Sequence, residues 1–137
     1  MSAEGVSPKK KKRKGTKDER LKRSQILLDV TRRCASLANI QDVWKELVSM
    51  TSYELDCDRG TLFLNDTETN ELFSFVAQGN LTREIRILND SGIAGHVYQT
   101  GQAKISDDPY NDPLFNHEVD QRTGYTTRNV ACVPVRT

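Results

Sequence analysis

The sequence predicts an α+β protein in which helices come first and an antiparallel sheet follows. From Lys17 to about Leu55 the apolar residues recur at helical spacing, and from Gly60 onward short apolar runs alternate with polar turns. The chain has 137 residues, of which 36% are hydrophobic and 28% charged, which is enough for one modest core. No apolar run approaches the roughly 18 residues of a membrane helix. We therefore expect one folded domain over residues 17–137, with no membrane insertion.

The N-terminal segment is strongly basic, although the whole chain has a formal net charge of only +1. Residues 1–23 carry ten Lys and Arg against three Asp and Glu, whereas residues 24–137 carry ten against sixteen. Residues 9–14 are all cationic, and nothing apolar accompanies them, so residues 1–16 are expected to form a disordered tail that touches anionic surfaces. The Lys9–Arg13 cluster also resembles a nuclear import signal, which import machinery would bind in a eukaryote. Otherwise we expect the chain to be cytoplasmic.

Two helices are predicted before the sheet. The first begins near Asp18 and Glu19, whose charges favour a helix N-terminus, and Asn39 is the predicted N-cap of the second. Leu21 and Leu28 are seven residues apart, which is the spacing of a dimer seam. Packing of this helix on its own sheet explains the same spacing, and the sequence leaves both interpretations open.

The remaining elements are strands around one short helix. Residues 60–64 and 72–77 form the predicted hairpin, 83–88 a third strand, 91–101 a helix capped by Ser91 and ended by Gly101, 103–105 and 129–135 further strands, and 107–124 an irregular stretch.

Two clusters of residues suggest a binding site. The turn from Ser91 to Gly95 stands at a helix N-terminus, where open amides attract anions, although the glycines equally suit a tight turn and a closely packed helix. Thr123, Thr126 and Thr127 supply hydroxyls that suit a purine edge or a ribose, although threonine is also common in strands for steric reasons.

The sequence offers no catalytic or metal-binding arrangement. Cys34, Cys57 and Cys132 are far apart, and neither His96 nor His117 lies near a Cys or in a nucleophilic arrangement. The acidic residues between Asp107 and Asp112 lack the alternating spacing of a calcium loop. We therefore expect no metal and no resident cofactor.

Three blocks of the sequence resemble one family, the GAF domains of cyclic-nucleotide phosphodiesterases and cyanobacterial adenylyl cyclases. The blocks are residues 58–64 (DRGTLFL), 92–97 (GIAGHV) followed by Thr100-Gly101, and 112–120 (DPLFNHEVD) continuing through 123–130 (TGYTTRNV). The resemblance covers roughly residues 25–137. It implies a GAF-like, PAS-related antiparallel sheet with flanking helices, cut short before the last strands and the closing helix.

The resemblance also implies a ligand site. Thr123 and Thr127 match positions that contact the ligand in similar domains, and four further residues match the pocket wall: Thr61, Ile93, Ala94 and Val119. Ala77 and Gln78 fall where similar domains place a base-reading pair. Because this pair is small and neutral here, the sequence does not choose between cyclic AMP and cyclic GMP.

The function that the resemblance implies is sensory and not catalytic. A small ligand such as cAMP or cGMP would act through the N-terminal helices, within a homodimer, on an output domain such as a nucleotide cyclase or phosphodiesterase. The alternative is a GAF-like thiol reductase for a small oxidised metabolite, which would need a low-pKa Cys in the pocket.

Overall fold

A computed structural model of the chain describes residues 15–79 and 84–136. The chain divides into two compact units, of which the first ends at Ala38 and the second begins at Asn39. The predicted basic tail lies outside the described residues except for Gly15 and Thr16, so its disorder and its partners stay predictions. The first helix begins at Lys17, and the domain boundary predicted at residue 17 stays a prediction.

The first unit contains helix α1 (Lys17–Ala35). Thr16 and Glu19 form a capping box, in which the Thr16 hydroxyl accepts from the Glu19 amide and the Glu19 carboxylate accepts from the Thr16 amide at 2.8 Å. This pairing satisfies two amides that a helix start leaves open. No residue of α1 is buried, and Leu21 and Leu28 are 60% and 57% exposed. The dimer seam stays a prediction.

The second unit contains the sheet and the other helices. Its elements, in chain order, are α2 (Ile40–Glu54), β1 (Thr61–Asp66), β2 (Glu71–Ala77), β3 (Arg86–Leu88), α3 (Gly92–Thr100), β4 (Lys104–Ser106), a 3₁₀ turn (Pro109–Asn111), α4 (His117–Thr123) and β5 (Val130–Cys132). Helix α2 begins as predicted, since the Asn39 side chain accepts a hydrogen bond from the Asp42 amide at 2.9 Å.

The strands form two antiparallel sheets. One has the order β1-β2-β3, and in the other β4 pairs with β5. The predicted hairpin is confirmed, with Asp66 opposite Glu71 at its turn and a bulge between Leu62 and Phe63. The α+β class is confirmed as well.

The apolar core is small, and among the described residues its buried aliphatic side chains lie on β2 and α3. Leu72 and Val76 on β2 are 2% and 8% exposed, and Ile93 and Val97 on α3 are 6% and 2% exposed. Alternation on β2 and helical spacing on α3 direct these four side chains inward. Helix α3 ends as predicted at Gly101, which adopts the left-handed conformation with φ of 64°.

The prediction of an irregular stretch over residues 107–124 was wrong. The segment contains the 3₁₀ turn and helix α4, which begins where the Asn116 side chain accepts from the Glu118 amide at 3.0 Å. The helix ends at Gly124, whose φ of 67° is left-handed. Asn116 and Gly124 are therefore helix boundary signals that the polar composition of the segment concealed.

Three smaller predictions also needed correction. The third strand was predicted from Arg83, but β3 begins at Arg86, and Arg83 lies outside the described residues. The last strand was predicted over residues 129–135, whereas β5 covers three residues and Val133 beyond it is 65% exposed. Ser91 occupies the N-cap of α3, but its side chain makes no capping hydrogen bond.

Candidate functional site: an open cleft beside helix α3

The first turn of α3 shows what its two glycines do. Gly92 has a φ of 71°, a conformation in which any other residue would be strained. A Cβ on Gly95 would lie 2.7 Å from the carbonyl carbon of Asp90, so this glycine lets the helix pack against the preceding turn. Close packing therefore explains Gly95, whereas Gly92 shapes the turn into the helix.

An open cleft lies in front of this first turn. Its volume is about 910 Å³, and its walls are formed by residues 86–88, 90–92, 113–119, 121 and 122, with Glu71. The cleft thus runs between β3, the start of α3 and the segment that ends in α4. Ser91 and Gly92 line it, so the N-terminus of α3 faces this space.

The charges around the cleft are mixed. Arg86 is an ion-pair centre on one wall, with contacts to Glu71 at 3.1 Å, Glu84 at 2.6 Å and Asp66 at 3.4 Å. Its hydrogen bonds to Glu71 and then Glu84 raise the pKa of Arg86, so the guanidinium stays charged but largely neutralised. On the other wall Arg122 pairs loosely with Glu118 at 3.6 Å. An anion entering the cleft would therefore depend on the dipole of α3 as much as on these cations.

A buried carboxylate holds α4 in place behind the cleft. Asp120 is 7% exposed and accepts hydrogen bonds from the Tyr110 hydroxyl at 2.9 Å and from the amide and hydroxyl of Thr127 at 2.6 and 2.7 Å. The bond to Asp120 raises the pKa of Tyr110. Sequence reasoning missed Asp120, because nothing in a polar stretch marks which carboxylate will be buried.

Aromatic side chains line part of the same wall. Tyr110, Phe115 and His117 form a cluster with ring centroids 4.9–5.3 Å apart, and His117 meets both partners edge-on. Phe115 and His117 also line the cleft. The cluster gives this wall a flat apolar component beside its charges.

The eight predicted ligand-binding residues do not all line the cleft. Val119 lines the cleft, whereas seven others are not among its lining residues: Thr61, Ala77, Gln78, Ile93, Ala94, Thr123 and Thr127. Ile93 is buried in the core, and the Gln78 side chain accepts from the Gly60 amide at 2.8 Å and donates to Ser49 at 3.2 Å. The ligand roles that the resemblance gives these residues stay predictions.

The threonine hydroxyls make contacts within the chain. Thr123 donates to the Val119 carbonyl at 2.9 Å, and Thr127 donates to Asp120. A hydroxyl that donates its proton in this way can still accept a hydrogen bond. A ligand would therefore meet these two groups as acceptors unless the internal bonds opened.

The cysteines are not part of the cleft wall. Cys34, Cys57 and Cys132 are all free thiols, and none of them lines it. Burial raises the pKa of the Cys132 thiol, which makes it less reactive. Within residues 15–79 and 84–136 no group of three or more His, Cys, Asp and Glu side chains is placed to hold a metal ion.

The fold agrees with comparisons to known proteins. The family model of the GAF domain matches residues 39–137, and the chain belongs to this family. No helix among the described residues is long and apolar enough to cross a membrane.

Two curated relatives are phosphodiesterases. The chain is 30% identical over 127 residues to a Caenorhabditis elegans protein described as a "Probable 3',5'-cyclic phosphodiesterase pde-5", and the match covers 83% of this chain and 17% of that protein. It is 27% identical over 134 residues to the Drosophila melanogaster dual 3',5'-cyclic-AMP and -GMP phosphodiesterase 11, covering 86% of this chain and 9% of that protein. The chain therefore spans less than a fifth of the length of either relative.

Solved structures confirm the GAF fold. The GAF domain of a phosphoenolpyruvate-protein phosphotransferase from Coxiella burnetii is similar with a TM-score of 0.74 at 19% identity, over 83% of this chain and 69% of that one. A free methionine-R-sulfoxide reductase from Neisseria meningitidis, solved with its substrate, is similar with a TM-score of 0.68 at 18% identity, over 90% and 70%. At these identities the likeness shows the fold alone.

Proposed function

We propose that this chain is a non-catalytic sensory GAF module that binds a cyclic nucleotide, cAMP or cGMP, in the cleft beside α3. The ligand would shift the helices of the chain between two arrangements and so act on an output domain such as a nucleotide cyclase or phosphodiesterase. The phosphodiesterase relatives support the ligand class, because their catalytic chemistry concerns the same nucleotides.

The observation that carries this proposal is the open first turn of α3 on the wall of the cleft. Helix N-termini leave their first amides without partners inside the helix, and the Ser91 side chain does not supply one here. These amides and the helix dipole suit the single negative charge of a cyclic phosphate. The rings of Phe115 and His117, which also line the cleft, suit the flat face of a purine.

The test is calorimetric titration of the chain with cAMP and with cGMP, with the uncharged nucleosides as controls. We expect binding of a cyclic nucleotide and weaker binding of its nucleoside, because the nucleoside lacks the phosphate that the α3 amides would hold. Absence of heat with both nucleotides would contradict the proposed ligand.

A variant pair locates the binding in the cleft. Gln121→Glu adds a negative charge to the wall, and we expect it to weaken nucleotide binding about threefold to fivefold through like-charge repulsion. Gln102→Glu adds the same charge at an exposed residue that does not line the cleft, and should leave the affinity unchanged. Equal effects of the two variants would place the ligand elsewhere.

The reductase alternative receives no support from the site. It would need a reactive thiol within reach of the substrate, and none of the three cysteines lines the cleft. Burial raises the pKa of the Cys132 thiol, so this thiol is less nucleophilic at neutral pH than an ordinary cysteine.

A further inference from the structure

Asp58 lies in the short connection between α2 and β1, and two residues from the segment after α4 bind it. The Tyr125 hydroxyl donates to Asp58 Oδ2 at 3.1 Å, and the Arg128 guanidinium donates to the same oxygen. These bonds, that of Arg128 above all, lower the pKa of Asp58 and keep it ionised. The partners are 67 and 70 residues away along the chain, so these contacts tie distant segments together.

Arg59 adds a second contact at the same place. Its guanidinium carbon lies 4.0 Å from the centre of the Tyr125 ring, which is within range of a cation–π interaction. The same group lies against Gly79, two residues after the end of β2, where an added Cβ would approach it to 2.9 Å. Asp58, Arg59, Tyr125 and Arg128 therefore form a clasp between the α2–β1 connection and the segment after α4.

The clasp is connected to the cleft through one residue. Thr127 stands between Tyr125 and Arg128 in the chain, and its amide and hydroxyl both bind the buried Asp120 of α4. The neighbours of Asp120 in α4, Val119 and Gln121, line the cleft. A continuous series of hydrogen bonds and chain neighbours thus runs from Asp58 to the α4 wall.

We propose that Asp58 and Arg59 are positioning residues that hold the α4 wall of the cleft through Tyr125 and Arg128. The role of the cleft as a ligand site rests on the proposed function, whereas the mechanical link from the clasp to α4 does not. The side chains of Arg128 and Asp58 are 75% and 55% exposed, so their ion pair changes an equilibrium by a factor of about five or less. The clasp therefore biases the position of α4 without locking it.

This weakness gives the clasp a regulatory use. A ligand that prefers one position of α4 changes the fraction of molecules in which the clasp is closed. Asp58 follows the last residue of α2, Glu54, by only four positions. Opening the clasp would therefore remove one restraint on the connection between α2 and β1, which is also held by the hydrogen bond from the Cys57 amide to the Ser52 carbonyl at 2.8 Å.

Hydrogen exchange of the ligand-free chain tests the link. The Thr127 amide donates to the Asp120 carboxylate, and the Gly124 amide donates to the Asp120 backbone carbonyl. In Arg128→Ala we expect both amides to exchange about threefold to fivefold faster. The matched control is Lys45→Ala on α2. This variant removes the ion pair between the Lys45 ammonium and the Asp42 carboxylate, which are 3.6 Å apart, and the Lys45 side chain is 64% exposed. Unchanged exchange at both amides in Arg128→Ala would overturn the proposal.

Two further variants separate positioning from general stability. Tyr125→Phe removes only the hydroxyl and should speed the same two amides to a smaller extent. The exchanged pair Asp58→Arg with Arg128→Asp should restore slow exchange, because the ion pair re-forms in reverse. Failure of the exchanged pair to slow these amides relative to Arg128→Ala would also contradict the clasp. Since no nucleotide is present, this result is independent of the calorimetric test of the ligand.

Discussion

The β1–β2 hairpin and the segment from Asp107 to Arg128 are held in place by different forces. The hairpin has a ladder of backbone pairs, interrupted by one bulge, and two buried apolar side chains, Leu72 and Val76. The segment has two short helical turns, and a buried carboxylate and ion pairs fix its position. A buried apolar side chain needs no particular hydrogen-bond partner, whereas a buried carboxylate is destabilised by the loss of any of its partners. We therefore expect the cleft wall formed by this segment to respond to the loss of a single hydrogen bond.

The largest effect is expected in the hairpin. Leu72→Ala removes a side chain that is 2% exposed, and we expect the free energy of unfolding to fall by about 3 kcal/mol, since a cavity adds to the lost transfer energy. Denaturant titration measures the change. Leu64→Ala on β1 is the control, because its side chain is 38% exposed and its loss should cost less than about 1 kcal/mol. Equal costs would contradict the assignment of the core.

The second effect is expected in the segment. Asp120→Ala leaves the Tyr110 hydroxyl and the Thr127 amide without their acceptor, and we expect a loss of about 2 kcal/mol. Exchange should quicken in residues 110–127 and remain slow in the hairpin. Asp107→Ala removes an exposed carboxylate from the same segment and serves as the control. Uniform acceleration in both regions would show that they do not open separately.

The same contrast explains what the sequence could predict. The helices α2 and α3 and the hairpin follow from local patterns: Asn39 as a cap, Gly101 as a stop, and alternation around a polar turn. Helix α4 was missed because it is seven polar-rich residues long and only Val119 is aliphatic. Asn116 and Gly124 are recognisable helix-cap residues in the sequence, but only the two together outweigh the polar composition of the segment.

The candidate site was less predictable than the fold. The turn from Ser91 to Gly95 was singled out from the sequence, and the structure places Ser91 and Gly92 on the cleft. Asp120 and Asp58 acquire their importance from partners brought together by folding, and in the case of Asp58 those partners are 67 and 70 residues away. Periodicity carries no information about contacts of this kind, because they join polar residues that are not related by a helical or strand spacing.

The smallest expected effect concerns pH and the position of the segment on β4. Asp112 pairs with Lys104 at 2.9 Å and accepts from the Leu114 amide at 3.0 Å, and these bonds lower its pKa below the ordinary 3.8, the bond to Lys104 contributing most. A carboxyl whose folded pKa is lowered contributes stability that is present above its unfolded pKa and is lost as the pH falls through the lower folded value. The contribution of Asp112 should therefore be constant from neutral pH down to about 5 and decline below about 4.

Asp112→Asn tests this expectation by removing the titrating group. The variant should be less stable than the natural sequence at pH 7, and the gap between their denaturation midpoints should narrow as the pH is lowered below 4, because acid then neutralises Asp112 in the natural chain as well. Asp66 is a useful comparison in the hairpin, since its pKa is lowered chiefly by the Glu68 amide. A backbone amide keeps its place while the hairpin is folded, so acid should loosen the segment around Asp112 before it loosens the hairpin turn around Asp66. Hydrogen exchange of the Leu114 amide should therefore quicken at a higher pH than that of the Glu68 amide, after correction for the intrinsic pH dependence of exchange. If the Glu68 amide were released first, the hairpin turn and not the polar segment would be the acid-sensitive part of the molecule.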